Sequence, residues 1–344
     1  MKTGIVTIQS VNYGNRLQNY ALQQVLAGFG FNVESLRREP YGLPQRLKRV
    51  VRRVIKDDKT TAFHRFDTAN VAMSSWVLSQ NRISPSLISA YDAFVIGSDQ
   101  VWNPDFDFNS ELEYLPMVPP AKKIAYAASF GVSRLDTNLE RTAKLLNDIP
   151  CISVREQAGA DIVASLTGRE VPVVLDPTML LTVKDWSVVS AKPKAVASGK
   201  PFLFKYVLGD DVNEVRIAAI AAKRGYEVID VMDDSLKVGP AEFVWLVSNS
   251  SLVCTDSFHA SVFALLHHKP LAIFERVSSD KDMSSRFDTL CSLFGLVGHR
   301  SNENDFGCDA VFGTDWRAFE CRLAELREFS LNWLKESLGD VSYG

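Results

Sequence analysis

The sequence predicts an α/β protein with two doubly wound domains. Short β-branched runs alternate with segments of helical periodicity, and this alternation occurs twice along the 344 residues. Between the two series, residues 182–200 lose periodicity and collect Lys, Ser and Pro, which is typical of a junction. The chain is long enough for each domain to bury its own core. We therefore expect domains at residues 1–182 and 200–315, with a C-terminal helix at 316–338 that packs across the junction.

Composition limits the functional classes. Hydrophobic residues make up 46% and charged residues 23% of the chain, and the net charge of −3 gives no basic field for nucleic acid. The five cysteines are widely spaced and match neither a disulfide framework nor a metal site. The loop after the first strand has one glycine, too few for a dinucleotide fingerprint, and we expect no metal and no cofactor. The N-terminus lacks the pattern of a signal peptide, and no apolar run reaches the roughly 18 residues of a membrane span. A cytoplasmic location is the default expectation.

The first strand, predicted at residues 4–9, is followed by an unusually polar loop. This loop contains Asn12, Tyr13, Gly14 and Asn15, and Gln18 follows it in a helix predicted at 15–27. Amide side chains both donate and accept hydrogen bonds, so they suit a hydroxyl-rich ligand. The alternative is that Asn15 caps the helix and Gly14 only makes the turn.

Residues 46–56, RLKRVVRRVIK, predict a basic amphipathic helix. The apolar side chains recur at helical spacing, and Arg and Lys occupy the remaining faces. Such a helix can lie on an anionic membrane surface, which would place the protein peripherally at the inner face of the membrane. The alternative is a solvated helix that packs on its own domain.

A second polar loop follows the strand predicted at residues 93–97. It contains Ser98, Asp99, Gln100 and Trp102. An indole beside carboxylate and amide groups is typical of a sugar platform, because the ring packs on the apolar face of a pyranose while the polar groups bind hydroxyls. The alternative places Trp102 in the core and Asp99 at a helix cap.

Three more strands are predicted in the first domain. Residues 123–128 end at Ser129, residues 151–154 end at Arg155 and Glu156, and residues 171–175 end at Asp176. We interpret Arg155 and Glu156 as an ion pair that braces two loops.

In the second domain, residues 251–274 predict a strand, a polar turn, a helix at 258–267 and another strand. In a parallel sheet this turn lies at the carboxyl end of the strand, where the new helix attracts anions. With Asp256 or Ser257 as the N-cap, His259 would lie beside the anion, and Asp256 could hold its second ring nitrogen. The alternative is a simple cap with a histidine on its rim.

Six segments, in this order and spacing, resemble the polysaccharide pyruvyl transferase family over roughly residues 4–290. They are NYGNRLQNYALQ (12–23), YDAFVIGSDQVWNP (91–104), KIAYAASFG (123–131), ISVREQAGADIV (152–163), VLDPTMLL (174–181) and TDSFHASVFALLHHKP (255–270). The resemblance implies a GT-B-like fold of two Rossmann-like domains that face a cleft. It also implies phosphoenolpyruvate as donor substrate and a glycan or lipid-linked sugar as acceptor, with the donor in the second domain and the acceptor against the first.

Forming a pyruvyl ketal requires a general acid, cationic and N–H partners for the donor anion, and a base for the sugar hydroxyl. His259 fits the acid and Asp99 the base, and Asp256, Ser257 and Phe258 would form the anion seat. Some relatives have Arg-Leu-His where this chain has Ser-Phe-His, so the cation must come from elsewhere, with Lys205 and Arg286 as candidates. The acceptor would lie against Asn12, Tyr13, Gly14, Asn15, Gln18, Ser98, Gln100, Trp102 and Ser129. Two alternatives stay open, a nucleotide-sugar glycosyltransferase and a catalytically silent carbohydrate-binding relative.

Overall fold

The protein is described from a computed structural model. The described residues are 1–38, 58–79, 83–106, 110–196, 199–209, 213–276, 284–300 and 309–343, and the helix predicted at 46–56 lies outside them. The chain forms two compact units. The first comprises Met1–Leu180 with Glu325–Gly344, and the second comprises Leu181–Ala324.

The first unit contains a six-stranded parallel sheet. Its strands are β1 (Lys2–Val6), β2 (Asn32–Arg38), β3 (Met73–Leu78), β4 (Ala93–Ile96), β5 (Lys123–Ala128) and β6 (Cys151–Val154). The strand order is β3-β2-β1-β4-β5-β6. Strands β4 and β5 are buried along their whole length, which explains their continuous apolar runs. The strand predicted at 171–175 is wrong, because this segment makes only a single bridge between Val154 and Val173.

Among the described residues, four α-helices lie between these strands and two follow β6. They are α1 (Tyr13–Gly28), α2 (Asp58–Asn70), α3 (Pro85–Ser89), α4 (Leu139–Asn147), α5 (Gln157–Thr167) and α6 (Pro177–Leu180). Asn12 rather than Asn15 caps helix α1, because the Asn12 side chain accepts a hydrogen bond from the Asn15 N–H at 3.3 Å.

The second unit contains a four-stranded parallel sheet in the order β10-β9-β7-β8. Its strands are β7 (Phe202–Tyr206), β8 (Glu227–Asp230), β9 (Leu252–Thr255) and β10 (Leu271–Ile273). Its helices are α7 (Val183–Val189), α8 (Glu214–Arg224), α9 (Pro240–Asn249), α10 (Phe258–Leu266) and α11 (Ser285–Phe294). Helix α7 occupies part of the predicted junction, and a capping box between Thr182 and Asp185 starts it.

The last helix, α12 (Trp316–Tyr343), contains the boundary at which the chain divides into the two units. It extends past the limit of 338 expected from its amphipathic pattern. Among the described residues we find no helix, α12 included, that combines the length and apolar composition needed to cross a bilayer.

Each sheet has a point where the strand order reverses. In the first sheet the chain crosses from one side of β1 to β4 on the other, and in the second sheet it crosses from one side of β7 to β9. The loops on either side of such a switch point diverge and leave a crevice at the carboxyl ends of the strands, where ligands of doubly wound proteins bind. The loops after β1, β4, β7 and β9 are therefore the places to look for a site.

Candidate active site

At the switch point of the first sheet, the loops after β1 and β4 meet through Asn15 and Asp99. The Asn15 amide donates to the Asp99 carboxylate, whose other oxygen accepts from the Gln100 N–H at 2.9 Å. Asp99 has a φ of 71°, in the left-handed region that non-glycine residues rarely adopt. Such strain persists only where the surrounding contacts hold it, and it is concentrated at functional sites.

A buried charge cluster lies next to Asp99. Nη1 of Arg155 is 2.8 Å from Asp176 Oδ2, Nη2 is 3.6 Å from Asp99 Oδ1, and Nε is 3.7 Å from Glu156 Oε2. Burial alone would lower the pKa of Arg155, but the three carboxylates raise it above its ordinary value. Arg155 braces loops as predicted, but its hydrogen-bonded partner is Asp176, and the predicted partner Glu156 lies 3.7 Å away.

Two amides and a glycine pack closely beside this cluster. The Asn103 Nδ2 donates to Gln100 Oε1 at 2.6 Å. Gly131 has a φ of +67°, and a Cβ added there would lie 2.1 Å from Gln100 Oε1 and 2.7 Å from Asn103 Nδ2. Residue 131 is therefore a glycine both because of its backbone conformation and because the two amides occupy the space of a side chain.

The predicted sugar platform at Trp102 is wrong. The side chain is 1% exposed and lies in the hydrophobic core of the first unit. Its ring stacks on Tyr114 with centroids 5.2 Å apart, and its Nε1 donates to the Glu113 carbonyl at 3.2 Å. A fully buried indole with its N–H satisfied has no face left for a pyranose.

The other predicted acceptor residues divide by exposure. Gln18, Ser98 and Ser129 are fully buried, so in this structure they cannot contact an acceptor. Their hydrogen bonds hold the loops instead. Gln18 Nε2 donates to Thr7 Oγ1 at 2.8 Å, and Ser98 Oγ donates to Asp176 at 2.9 Å. Ser129 Oγ accepts from the Gly131 N–H at 3.1 Å. Tyr13 and Gly14 are also buried. Of the predicted residues, Asn12 is half-buried, and Asn15, Asp99 and Gln100 are buried but retain 7%, 5% and 8% of their surface.

At the switch point of the second sheet, the Asp256 carboxylate accepts hydrogen bonds from three groups. Its Oδ1 accepts from the Leu208 N–H at 2.8 Å, and its Oδ2 accepts from the Gly209 N–H at 2.8 Å and from Arg276 Nε at 3.0 Å. We expected Asp256 to hold the His259 ring. The carboxylate instead ties together the loops that follow β7, β9 and β10.

Helix α10 starts shortly after Asp256, at Phe258. Ser257 is the N-cap residue of α10, but its side chain makes no capping hydrogen bond. The backbone N–H of Ser257 donates to Thr255 Oγ1 at 3.0 Å. His259 is buried in the first turn, with its ring edge-to-face to Phe258 at a centroid distance of 5.4 Å. The first turn of α10, with its imidazole, therefore lies at the carboxyl edge of β9 as the sequence predicted.

The two predicted cations have different environments. Lys205 is bound by Glu214 and by Asp230, the latter at 2.9 Å, so its charge is already compensated and it is not available as an anion clamp. This corrects the prediction, which could not see that the neighbouring strand β8 ends in a carboxylate. Arg286 is buried in the first turn of α11, and its proposed role stays a prediction.

The sequence matches the profile of the polysaccharide pyruvyl transferase family over residues 12–278. The chain belongs to the polysaccharide pyruvyl transferase family. The resemblance seen in the sequence is thus confirmed, and this family member is a transferase of polysaccharide synthesis that uses a sugar or glycan acceptor. No curated protein is significantly similar to it in sequence.

Solved structures share the fold of this pyruvyl transferase family member. UDP-GlcNAc 2-epimerase from Methanocaldococcus jannaschii aligns with a TM-score of 0.51 and 11% identity over 96% of this chain and 93% of its own. UDP-N-acetylglucosamine 2-epimerase from Rickettsia bellii aligns with a TM-score of 0.52 and 10% identity over 100% and 97%. Staphylococcus aureus MnaA, in a co-structure with UDP, gives a TM-score of 0.52 and 12% identity over 98% and 97%. These similarities confirm the predicted GT-B-like fold with two Rossmann-like domains.

The sequence did not identify three charged residues at the carboxyl ends of the two sheets as part of a site. Asp176 and Glu156 complete the cluster around Arg155, and Arg276 binds Asp256. One signal was present for Arg276. It follows the strand β10 closely, and β10 pairs with β9, so its position along the sheet edge resembles that of Asp256.

Proposed function

We propose that this transferase moves the pyruvyl group of phosphoenolpyruvate onto hydroxyls of a surface polysaccharide or its precursor. The observation that carries the proposal is the family match over residues 12–278, in a chain whose second sheet presents His259 in the first turn of a helix at its switch point. A protonated imidazole can donate a proton from a ring nitrogen, which is what the general acid of this reaction must do.

The chemistry assigns a role to each group. In the proposed reaction His259 protonates the methylene carbon of phosphoenolpyruvate, which becomes a methyl group, and C2 takes on cationic character. A sugar hydroxyl then bonds to C2 and loses its proton, with Asp99 as the proposed base. The bond from C2 to the phosphate oxygen breaks and releases phosphate. A second hydroxyl of the same sugar bonds to C2 and passes its proton to the released phosphate, which completes the ketal.

The proposed acceptor residues are the half-buried Asn12 and those buried residues of the first unit that retain a few per cent of exposed surface. Asn12, Asn15 and Gln100 offer amide groups that can both donate to and accept from sugar hydroxyls. Asp99 lies among them and is bonded to Asn15, so its position is fixed.

The test is a direct assay. The full-length protein would be incubated with phosphoenolpyruvate and a panel of nucleotide sugars and lipid-linked glycans, while phosphate release and the mass gain of the acceptor are followed. We expect phosphate release that depends on one acceptor class, together with calorimetric binding of phosphoenolpyruvate. Absence of both binding and turnover across the panel would contradict the proposal.

A thermal-shift experiment distinguishes a phosphoenolpyruvate-dependent transferase from an enzyme that uses nucleotide sugars. The fold also occurs in a protein solved with UDP, and fold alone does not decide the donor. A ligand that binds only the native state raises the melting temperature. We expect stabilisation by phosphoenolpyruvate and not by UDP or GDP, and the reverse result would favour a glycosyltransferase.

A further inference from the structure

Asp176 is a buried carboxylate that binds two residues beside the first switch point. Its side chain is 0% exposed, so it acts on other residues rather than on a substrate. Its Oδ2 accepts from Ser98 Oγ at 2.9 Å and from Arg155 Nη1 at 2.8 Å. Its Oδ1 accepts from the N–H and the hydroxyl of Thr178, at 3.0 and 2.6 Å. Oδ1 therefore closes the turn into α6, while Oδ2 joins the segments that follow β4 and β6.

Through Ser98, the carboxylate restrains the backbone of Asp99. Ser98 immediately precedes Asp99, and the Ser98 carbonyl accepts from Thr7 Oγ1 at 3.1 Å. The Asp99 carbonyl accepts from the Ser129 N–H at 3.1 Å. Between these contacts Asp99 keeps its φ of 71°, a region in which a non-glycine residue stays only where its surroundings hold it. Loss of the contact between Ser98 and Asp176 would therefore release one of the restraints on Asp99.

Through Arg155, the same carboxylate acts on the side chain of Asp99. The Arg155 Nη2 is 3.6 Å from Asp99 Oδ1, which is an ion-pair distance and too long for a hydrogen bond. The Arg155 side chain is 1% exposed, and its contact with Asp176 at 2.8 Å is shorter than its contact with Glu156 at 3.7 Å. Asp176 therefore determines where the guanidinium lies, and the guanidinium places its charge beside the Asp99 carboxylate.

We propose that Asp176 is a positioning residue for Asp99, acting on its backbone through Ser98 and on its carboxylate through Arg155. The inference rests on the proposed function, in which Asp99 is the base, and adds a buried residue on which the geometry of proton transfer depends. A base must lie within hydrogen-bond reach of the hydroxyl whose proton it takes. A displacement of about 1 Å can cost about a hundredfold in rate.

The first experiment measures the position of Asp99 without any assay of activity. Asp176→Asn keeps the size of the side chain and an acceptor oxygen for Thr178, but it places an NH2 group against the Arg155 guanidinium. Two donors then face each other. We expect crystal structures of the variant and the wild type to show the Asp99 carboxylate displaced by about 1 Å. An Asp99 with unchanged φ and carboxylate position would overturn the inference, whatever reaction the protein catalyses.

The second experiment compares turnover in Asp176→Asn and Thr178→Val. The valine keeps the shape of residue 178 but removes the hydroxyl that binds Oδ1, so it disturbs the same carboxylate without removing its contacts with Ser98 and Arg155. We expect kcat to fall about ten- to a hundredfold in Asp176→Asn and to stay at the wild-type value in Thr178→Val. Both variants should lose stability in denaturant unfolding. Equal kcat values in the two variants would contradict the proposal, because Asp176 would then have only a structural role.

The pH profile separates positioning from loss of stability. In Asp176→Asn the Arg155 guanidinium loses its nearest negative charge and keeps Asp99 and Glu156 beside it, so the Asp99 carboxyl ionises more readily than in the wild type. The acid limb of kcat against pH should therefore move to lower pH by about one unit, and it should not move in Thr178→Val. A smaller folded fraction would lower the rate without moving the limb. An unmoved limb in Asp176→Asn would contradict the action through Arg155.

Ser98→Ala removes the contact with the backbone segment alone, and it provides the test if Asp176→Asn does not fold. Asp176 keeps its hydrogen bond with Arg155 in this variant. Because one hydrogen bond is lost, we expect kcat to fall about two- to tenfold with the acid limb unmoved. A wild-type kcat in Ser98→Ala would contradict the action through the backbone.

The results also separate this inference from the proposed function. If the wild type neither binds phosphoenolpyruvate nor turns it over, the proposed function fails, and the crystal structures still decide whether Asp176 positions Asp99. If the wild type is active and Asp176→Asn matches it in kcat and in the position of Asp99, only the role of Asp176 fails.

Discussion

The two sheets carry opposite charge clusters beside their switch points. In the first unit one guanidinium, Arg155, lies near three carboxylates. In the second unit one carboxylate, Asp256, accepts hydrogen bonds from one guanidinium and two backbone N–H groups. The first edge has an excess of acceptors and the second an excess of donors. One member of each cluster, Asp99 in the first and Asp256 in the second, follows a strand at the switch point of a parallel sheet.

The difference shows that two parallel sheets of the same architecture can carry hydrogen-bond acceptors at one switch point and donors at the other. Carboxylates accept hydrogen bonds from hydroxyls and repel anions, while guanidinium and N–H groups attract anions. The strand order provides the crevice, and the few polar residues that follow the strands decide what it can bind. Variants at each edge test this difference, and a variant of a histidine away from the edges provides a contrast.

The largest expected effect is on turnover in His259→Gln. A glutamine cannot deliver a proton at neutral pH, so kcat should fall about a hundred- to ten-thousandfold, while phosphoenolpyruvate affinity changes little. Steady-state kinetics and calorimetry would measure the two quantities. The control is His268→Gln, which removes an exposed histidine that pairs with Glu320. Equal kcat values in the two variants would remove His259 from the mechanism.

The next largest effect is on the stability of the first unit. Arg155→Gln leaves three buried carboxylates without their cation, and we expect the free energy of unfolding to fall by about 3–5 kcal/mol. Glu156→Gln leaves Arg155 with two carboxylates and should cost less than about 1 kcal/mol. Denaturant unfolding would compare them. If both variants lose the same stability, the cluster is not organised around an excess of negative charge.

The smallest effect concerns acid stability of the second unit, away from its edge. Burial, with the charges of Lys269 and His268, lowers the pKa of His267 to about 4. The folded state therefore disfavours the imidazolium, so this stability is present above pH 6.5 and is lost as the pH falls towards 4. We expect up to about 2 kcal/mol less stability at pH 5 than at pH 6.5.

His267→Gln should show a smaller loss over the same pH range in denaturant unfolding. Its phosphoenolpyruvate binding at pH 7 should equal that of the wild type, because residue 267 follows the last turn of α10, at the opposite end from His259. An unchanged pH slope would show that another group controls the acid stability.

Much of the fold follows from local patterns. Strands β5 and β6 have the predicted bounds, and the helix predicted at 258–267 is observed as α10 (Phe258–Leu266). Continuous apolar runs followed by polar turns carry this information within a few residues. Helix α2 and strand β3 were not predicted, because their segments bury only scattered apolar positions.

The site was less predictable, because its contacts join distant residues. Asp256 and Arg276 are 20 positions apart, and they meet only because β9 and β10 pair. Composition could not decide Trp102, since an indole among polar residues is equally compatible with a binding platform and with a buried ring whose N–H finds a carbonyl.

Gly131 restricts the order in which positions 100, 103 and 131 could be substituted. A side chain at 131 collides with the amides of Gln100 and Asn103. Smaller residues at 100 and 103 would have to appear first, and the positive φ would still cost an alanine at 131 about 1 kcal/mol. Positions 100, 103 and 131 thus form an epistatic set, and a saturation library that varies the two amides should hold the glycine constant.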